Sequence, residues 1–130
     1  AYSCLANNGR AVKPFYITSI TTNNNAIIER LGITKGEQVM SADNAKMLVQ
    51  MLKRVINEGT GASMRSTYGI DNDMAGKTGT TQSNADGWFI AMTPRLVIGA
   101  WVGADDPRIR FRSTALGQGA STALPIVATF

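Results

Sequence analysis

Between Met74 and Gly103 three β-type runs follow one another with almost nothing between them: Met74–Gln82, Gly87–Thr93 and Leu96–Gly103. The second and third are joined through Thr93-Pro94-Arg95, far short of the crossover of about a dozen residues that parallel strands need. The stretch therefore reads as an antiparallel meander closed by a tight hairpin. Ahead of it the apolar period changes. Ala45, Leu48, Leu52 and Val55 recur at helical spacing, with Met47, Met51 and Ile56 widening the stripe. Ser41 is placed to cap that helix and Gly59 to end it, so Ser41–Glu58 is predicted helical. The methionines read as core filler, since an unbranched thioether fits irregular gaps. A helix with an apolar stripe beside an antiparallel sheet packs against it, which puts the chain in the α+β class.

The flanks are less strongly patterned. Ala1–Asn8 has the look of a helix end, stopped by Gly9 in the position after the cap. Pro14–Ile20 and Ala26–Arg30 are β-type runs separated by Thr21-Thr22-Asn23-Asn24-Asn25, so a hairpin is predicted there. Thr60 to Asp73, rich in Gly, Ser, Thr and Asn, reads as a loop. After Gly117-Gln118-Gly119, the run Ala120–Phe130 can start a helix if Pro125 lies in its first turn. Both ends fall in apolar stretches rather than loose polar ones, so the 130 residues are expected to be a piece of a larger domain.

The residues that are missing narrow the chemistry. There is no histidine, which removes histidine-based triads and zinc sites. Cys4 is the single cysteine, which removes internal disulfides and thiolate clusters. No metal and no cofactor is expected. No run of about 18 or more apolar residues is present. The net charge of +4 comes from scattered groups, apart from Arg108-Ile109-Arg110-Phe111-Arg112. That spot reads as a solvated strand, with a basic module for polyanions as the competing reading.

The segment Ala75-Gly76-Lys77-Thr78-Gly79-Thr80-Thr81 carries the most chemistry. Gly76-Lys77-Thr78 matches the end of a phosphate-binding loop, but that pattern needs Gly where Asp71 stands, and an aspartate would repel phosphate. A strand that grips an anionic peptide end fits better. Along an extended chain Lys77 and Gly79 face one way, Thr78 and Thr80 the other. Lysine brings a compact positive charge, and the threonine hydroxyls add neutral donors for a carboxylate. Gly79 leaves room for a substrate backbone to lie along the strand. The N–H of Thr80 can then point at a reacting carbonyl oxygen. On its own, such a triplet is equally an ordinary polar strand.

Taken in order, the blocks resemble those of the bifunctional (class A) penicillin-binding proteins along nearly the whole chain. Ala6-Asn7-Asn8-Gly9 precedes a strand begun by proline, and Gly59-Thr60-Gly61 follows the amphipathic helix. Gly76–Thr81 leads to Asp86-Gly87-Trp88-Phe89, then Thr93-Pro94, then Trp101-Val102-Gly103. Gly117-Gln118-Gly119 and Ala123-Leu124-Pro125-Ile126 close the series. Lys-Thr-Gly stands beside S-x-x-K and S-D-N in the signature set of penicillin-binding proteins and class A β-lactamases. Neither S-x-x-K nor any S-x-N triplet occurs here. Gly87 also stands where the family usually has Ala, and Ala91-Met92 where it has Gly-Tyr.

The resemblance implies a fragment of the transpeptidase and serine β-lactamase-like fold: an antiparallel sheet (the three-strand meander plus a hairpin) with flanking helices. Residues 1–130 would be the C-terminal half of a transpeptidase domain. The nucleophilic serine, a glycosyltransferase domain and a membrane anchor would lie upstream, on the periplasmic side of the bacterial cytoplasmic membrane. The implied activity is cross-linking of peptidoglycan stem peptides through a serine acyl-enzyme, which penicillins and other β-lactams trap. Lys77 and Thr80 would be the catalytic contribution, and Lys77, Thr78, Gly79, Thr80 and Thr81 the substrate-binding strand. The chain alone would be inactive and would self-associate. A serine β-lactamase or a D-Ala-D-Ala carboxypeptidase of the same fold is the alternative, and nucleic acid is not an expected partner. Trp88, Phe89 and Trp101 are expected in the core behind the sheet, Asp86 in a turn, and Cys4 as a small buried hydrophobe.

Overall fold

The computed structural model describes residues 1–32 and 36–130. Its centre is an antiparallel sheet of β3 (Ala75–Thr80), β4 (Gly87–Met92) and β5 (Val97–Val102), arranged in sequence order. The predicted meander is therefore present, and each strand is trimmed by a residue or two where the turns begin. Thr78, Phe89 and Ala100 stand opposite one another across the three strands, as do Gly79, Trp88 and Trp101. Opposed residues share a face, and the two faces differ sharply. Phe89 is fully buried in a cluster with Ile56, Met64, Leu124 and Val127. Each such side chain contributes about 1.5–3 kcal/mol by leaving water.

The cluster explains why the helices lie where they do. Helix α2 (Ala42–Asn57) runs along β3 and brings Ile56 into the core. Its start is fixed as the sequence predicts, since the Asn44 amide donates to the Ser41 hydroxyl at 3.2 Å. Helix α5 (Ala123–Thr129) covers β4 and β5, with Pro125 in its first turn. Helix α1 (Tyr2–Ala6) packs on α2, and Gly9 beyond it takes a left-handed φ of +81°.

Several expectations are corrected. Residues 60–73 are not all loop, because Met64 is fully buried and carries a short helix α3 (Ser63–Ser66) with it. Arg65 then ties this turn down by donating to Asn57 Oδ1 at 3.2 Å and to the carbonyls of Ile70 and Asn72. A second short helix, α4 (Thr114–Gly117), precedes the glycine turn. The first hairpin shrinks to β1 (Ser19–Thr21) and β2 (Ile27–Arg30), with a bulge between Ile20 and Thr21. All of its strand residues are exposed, so nothing buries the longer Pro14–Ile20 run against a core. Met64, Met74 and Met92 do fill the core, but Met47 and Met51 are 64% and 61% exposed. The apolar stripe of α2 is wider than the surface that α1 and β3 offer it. Residues 108–112 form no strand. No helix is long and apolar enough to cross a membrane among the described residues.

Candidate functional site

Strand β3 is an edge of its sheet, and the phase of its ladder decides what that edge presents. The Thr81 amide donates to the Asp86 carbonyl at 3.0 Å. Hydrogen-bonded and non-hydrogen-bonded pairs alternate along an antiparallel ladder. Gly79/Trp88 and Lys77/Ile90 therefore repeat the bonded pairing, while Thr78 and Thr80 turn their amides and carbonyls outward. The open edge thus offers the N–H groups of Thr78 and Thr80 to an extended ligand.

The side chains flank that edge from both sides. Lys77 is exposed and curls back to donate to the Thr78 carbonyl at 2.7 Å. The same carbonyl lies on the open edge, which accounts for its availability to the ammonium group. Thr78 and Thr80 project from the opposite face, shared with Phe89. The Thr78 hydroxyl lies 2.7 Å from that of Thr60, and the Gly119 amide donates to the Thr80 hydroxyl at 3.3 Å. A β-carbon at Gly119 would sit 2.0 Å from the Trp88 carbonyl oxygen and 2.6 Å from that of Gly79. Only glycine lets this turn press against the strand.

Thr81 is placed differently from its neighbours. Its hydroxyl accepts the Asp86 amide at 2.8 Å and donates to Asp86 Oδ2 at 3.1 Å. Asp86 Oδ1 in turn accepts from Trp101 Nε1 at 2.9 Å. Asp86 is thus a turn group, as the sequence predicts, and it links the end of β3 to β5. Thr81 belongs to this clamp rather than to the open edge. The tryptophans correct the sequence reading: Trp88 and Trp101 are 45% and 43% exposed, their rings 6.4 Å apart, on the face opposite Phe89. Only Phe89 of the three is in the core.

On the Lys77 side lies a groove of about 610 Å³, lined by Tyr2, Cys4, Leu5, Met40, Leu48 and Met51 among others. Its walls are almost wholly apolar, and among the described residues Lys77 is its single charged side chain. Cys4 is half-buried at this groove instead of enclosed in the core. At the basic spot, Arg108 is engaged by Asp106 at 2.6 Å. Its side chain and backbone amide hold the Asp106 carboxyl below the usual carboxylate range. Thr60 and Gly119 are the groups that sequence reasoning missed at the site. Both lay in the singled-out blocks Gly59-Thr60-Gly61 and Gly117-Gln118-Gly119, but nothing in spacing alone points them at β3.

The model of the penicillin binding protein transpeptidase domain family matches residues 1–122. Penicillin-binding protein 1A of Aquifex aeolicus is 36% identical over 129 residues, covering 97% of this chain and 16% of that protein. The chain therefore spans about one sixth of the length of that relative. Among solved structures, penicillin-binding protein 1A from Haemophilus influenzae superposes with a TM-score of 0.88 at 23% identity, over 98% of this chain and 24% of that one. The imipenem acyl-enzyme complex of penicillin-binding protein A from M. tuberculosis gives a TM-score of 0.64 at 21% identity, over 98% and 28%.

Proposed function

The chain belongs to the penicillin-binding protein transpeptidase domain family, and from that premise we propose that it supplies the donor-binding edge of a D-Ala-D-Ala transpeptidase within a longer polypeptide. The observation that carries the reading is the open edge of β3. Outward amides at Thr78 and Thr80 are flanked by an ammonium group on one side and two hydroxyls on the other. A stem peptide laid along this edge extends the sheet by one strand. Its terminal carboxylate reaches Lys77, Thr78 and Thr80, and its scissile carbonyl meets the Thr80 N–H as one donor of an oxyanion hole. Penicillins and other β-lactams carry the same carboxylate beside a strained acyl group and are held in the same way.

The serine that attacks comes from the rest of the domain, together with its lysine partner. That part covers the apolar groove beside Lys77, which strips water from the ammonium group and strengthens its pull on the carboxylate. The relatives named penicillin-binding protein 1A favour the bifunctional class, with glycosyltransferase and membrane-anchoring parts upstream and action in the periplasm. In the longer polypeptide, Lys77→Ala is expected to slow acylation by a fluorescent penicillin about 10- to 100-fold. That is the loss of one charge-assisted hydrogen bond of about 1.5–3 kcal/mol. The melting temperature should hardly move, since an exposed lysine contributes within about 0.5 kcal/mol. Unchanged labelling with a lowered melting temperature would reduce Lys77 to a structural residue.

The same picture makes the 130-residue chain self-associating. Strand β5 is the other free edge of the sheet, and the groove around Leu48 and Met51 is uncovered in the chain by itself. An unpaired edge beside apolar side chains is the arrangement that pairs between molecules. Sedimentation at micromolar concentration is expected to show species heavier than the monomer. A stable monomer across that range would mean the chain closes its own core.

A further inference from the structure

We infer that Thr60 is a positioning residue that turns the Thr78 hydroxyl into a forward-facing donor, in parallel with the Gly119 amide behind Thr80. The inference rests on the reading of β3 as a carboxylate-binding edge and adds a residue to it from outside the strand. A hydroxyl has one proton and two lone pairs, so what it donates depends on what it accepts. Thr80 Oγ1 accepts the Gly119 amide, an obligatory donor, so its own proton is free to point at a ligand. Thr78 Oγ1 lies 2.7 Å from Thr60 Oγ1, where either group could donate. Among the described residues the Thr60 side chain makes no other hydrogen bond, so its proton is available to Thr78. When a carboxylate claims the Thr78 proton, Thr60 becomes the donor. Both hydroxyls then work alike, each anchored from behind and each donating outward.

The local fold is built to hold Thr60 there. The Gly59 amide donates to the Arg54 carbonyl and the Gly61 amide to the Val55 carbonyl, both at 3.0 Å, so the turn wraps back onto the end of α2. A β-carbon at Gly59 would lie 2.9 Å from Val55 Cα, and one at Gly61 2.9 Å from Ile56 Cδ1. Glycine on both sides lets the turn sit close enough for Thr60 to reach across to β3. Ile56, against which Gly61 packs, is itself fully buried under the sheet. The position of the Thr60 hydroxyl is therefore tied to the core.

The test compares Thr60→Val, which keeps the shape and removes the hydroxyl, with Thr60→Ser, which keeps the hydroxyl, in the longer polypeptide. A β-lactam is used as the free acid and as its methyl ester. Thr60→Val is expected to slow acylation by the acid on the order of fivefold to tenfold and leave the ester rate alone. Thr60→Ser should stay within about twofold of wild type for both, and all three melting temperatures should agree. Equal slowing of acid and ester, or failure of Ser to rescue, would overturn the positioning role. Wild-type rates for Thr60→Val while Lys77→Ala slows acylation would reject Thr60 and leave the β3 reading standing. If neither substitution slowed acylation, the β3 reading itself would fall.

Discussion

Incubated with a fluorescent penicillin and run on a denaturing gel, the 130-residue chain is expected to show no covalent label. The expectation follows from what β3 can and cannot do. In the function proposed above it offers donors for a carboxylate and an N–H for a carbonyl oxygen, which bind and polarise but form no bond. Acylation needs an activated nucleophile. No serine here is followed three residues later by lysine, and no histidine is present to act as a base. Ser83 sits in the turn after β3 but at a left-handed φ of +63° in a short 3-10 stretch, with no lysine spaced to activate it. Enzymes of this kind gain about 10⁶-fold or more over background. A chain lacking the nucleophile should therefore be indistinguishable from an unrelated protein of the same size. A labelled band would show that some side chain among these residues can be acylated, and the division of labour proposed above would be wrong.

What the sequence conveyed and what it hid divide along physical lines. The meander and α2 were legible because period and turn chemistry agreed: alternating runs joined through a Pro-containing turn, and a capped stripe ended by glycine. Lys77, Thr78, Gly79 and Thr80 were legible as a group because a strand places neighbouring residues on known sides. Helix α3 was hidden because a single buried residue, Met64, anchors it inside a polar stretch. The tryptophans misled because aromatic character alone does not say which face of a sheet is covered. Register does: Trp88 is one residue out of phase with Phe89. Thr60 and Gly119 were hidden for a different reason. They lie 18 and 39 residues from their partners, and only the folded core brings a turn on α2 and a glycine turn before α5 to the same strand.

Thr81 shows the same limit within the motif itself. It continues the sequence pattern of its neighbours, yet its hydroxyl is held by Asp86 at the point where β3 turns into β4. The Thr81 hydroxyl is thus tied into the clamp with Asp86, while the strand edge at Thr78 and Thr80 stays open.

The central claim is that β3 recognises a carboxylate, and the ratio of two rates tests it most directly. In the longer polypeptide, acylation by a β-lactam free acid and by its methyl ester would be measured for wild type and for Lys77→Ala. Esterification removes the charge and leaves the reacting ring in place, so the acid-to-ester ratio isolates carboxylate binding from chemistry at the serine. Wild type should prefer the acid on the order of 100-fold, as expected for charge-assisted bonds from Lys77 with added donation from Thr78 and Thr80. In Lys77→Ala the ratio should fall most of the way toward one, through a slower acid and an unchanged ester. An acid preference that survives intact in Lys77→Ala would contradict the claim and place the carboxylate somewhere other than this strand.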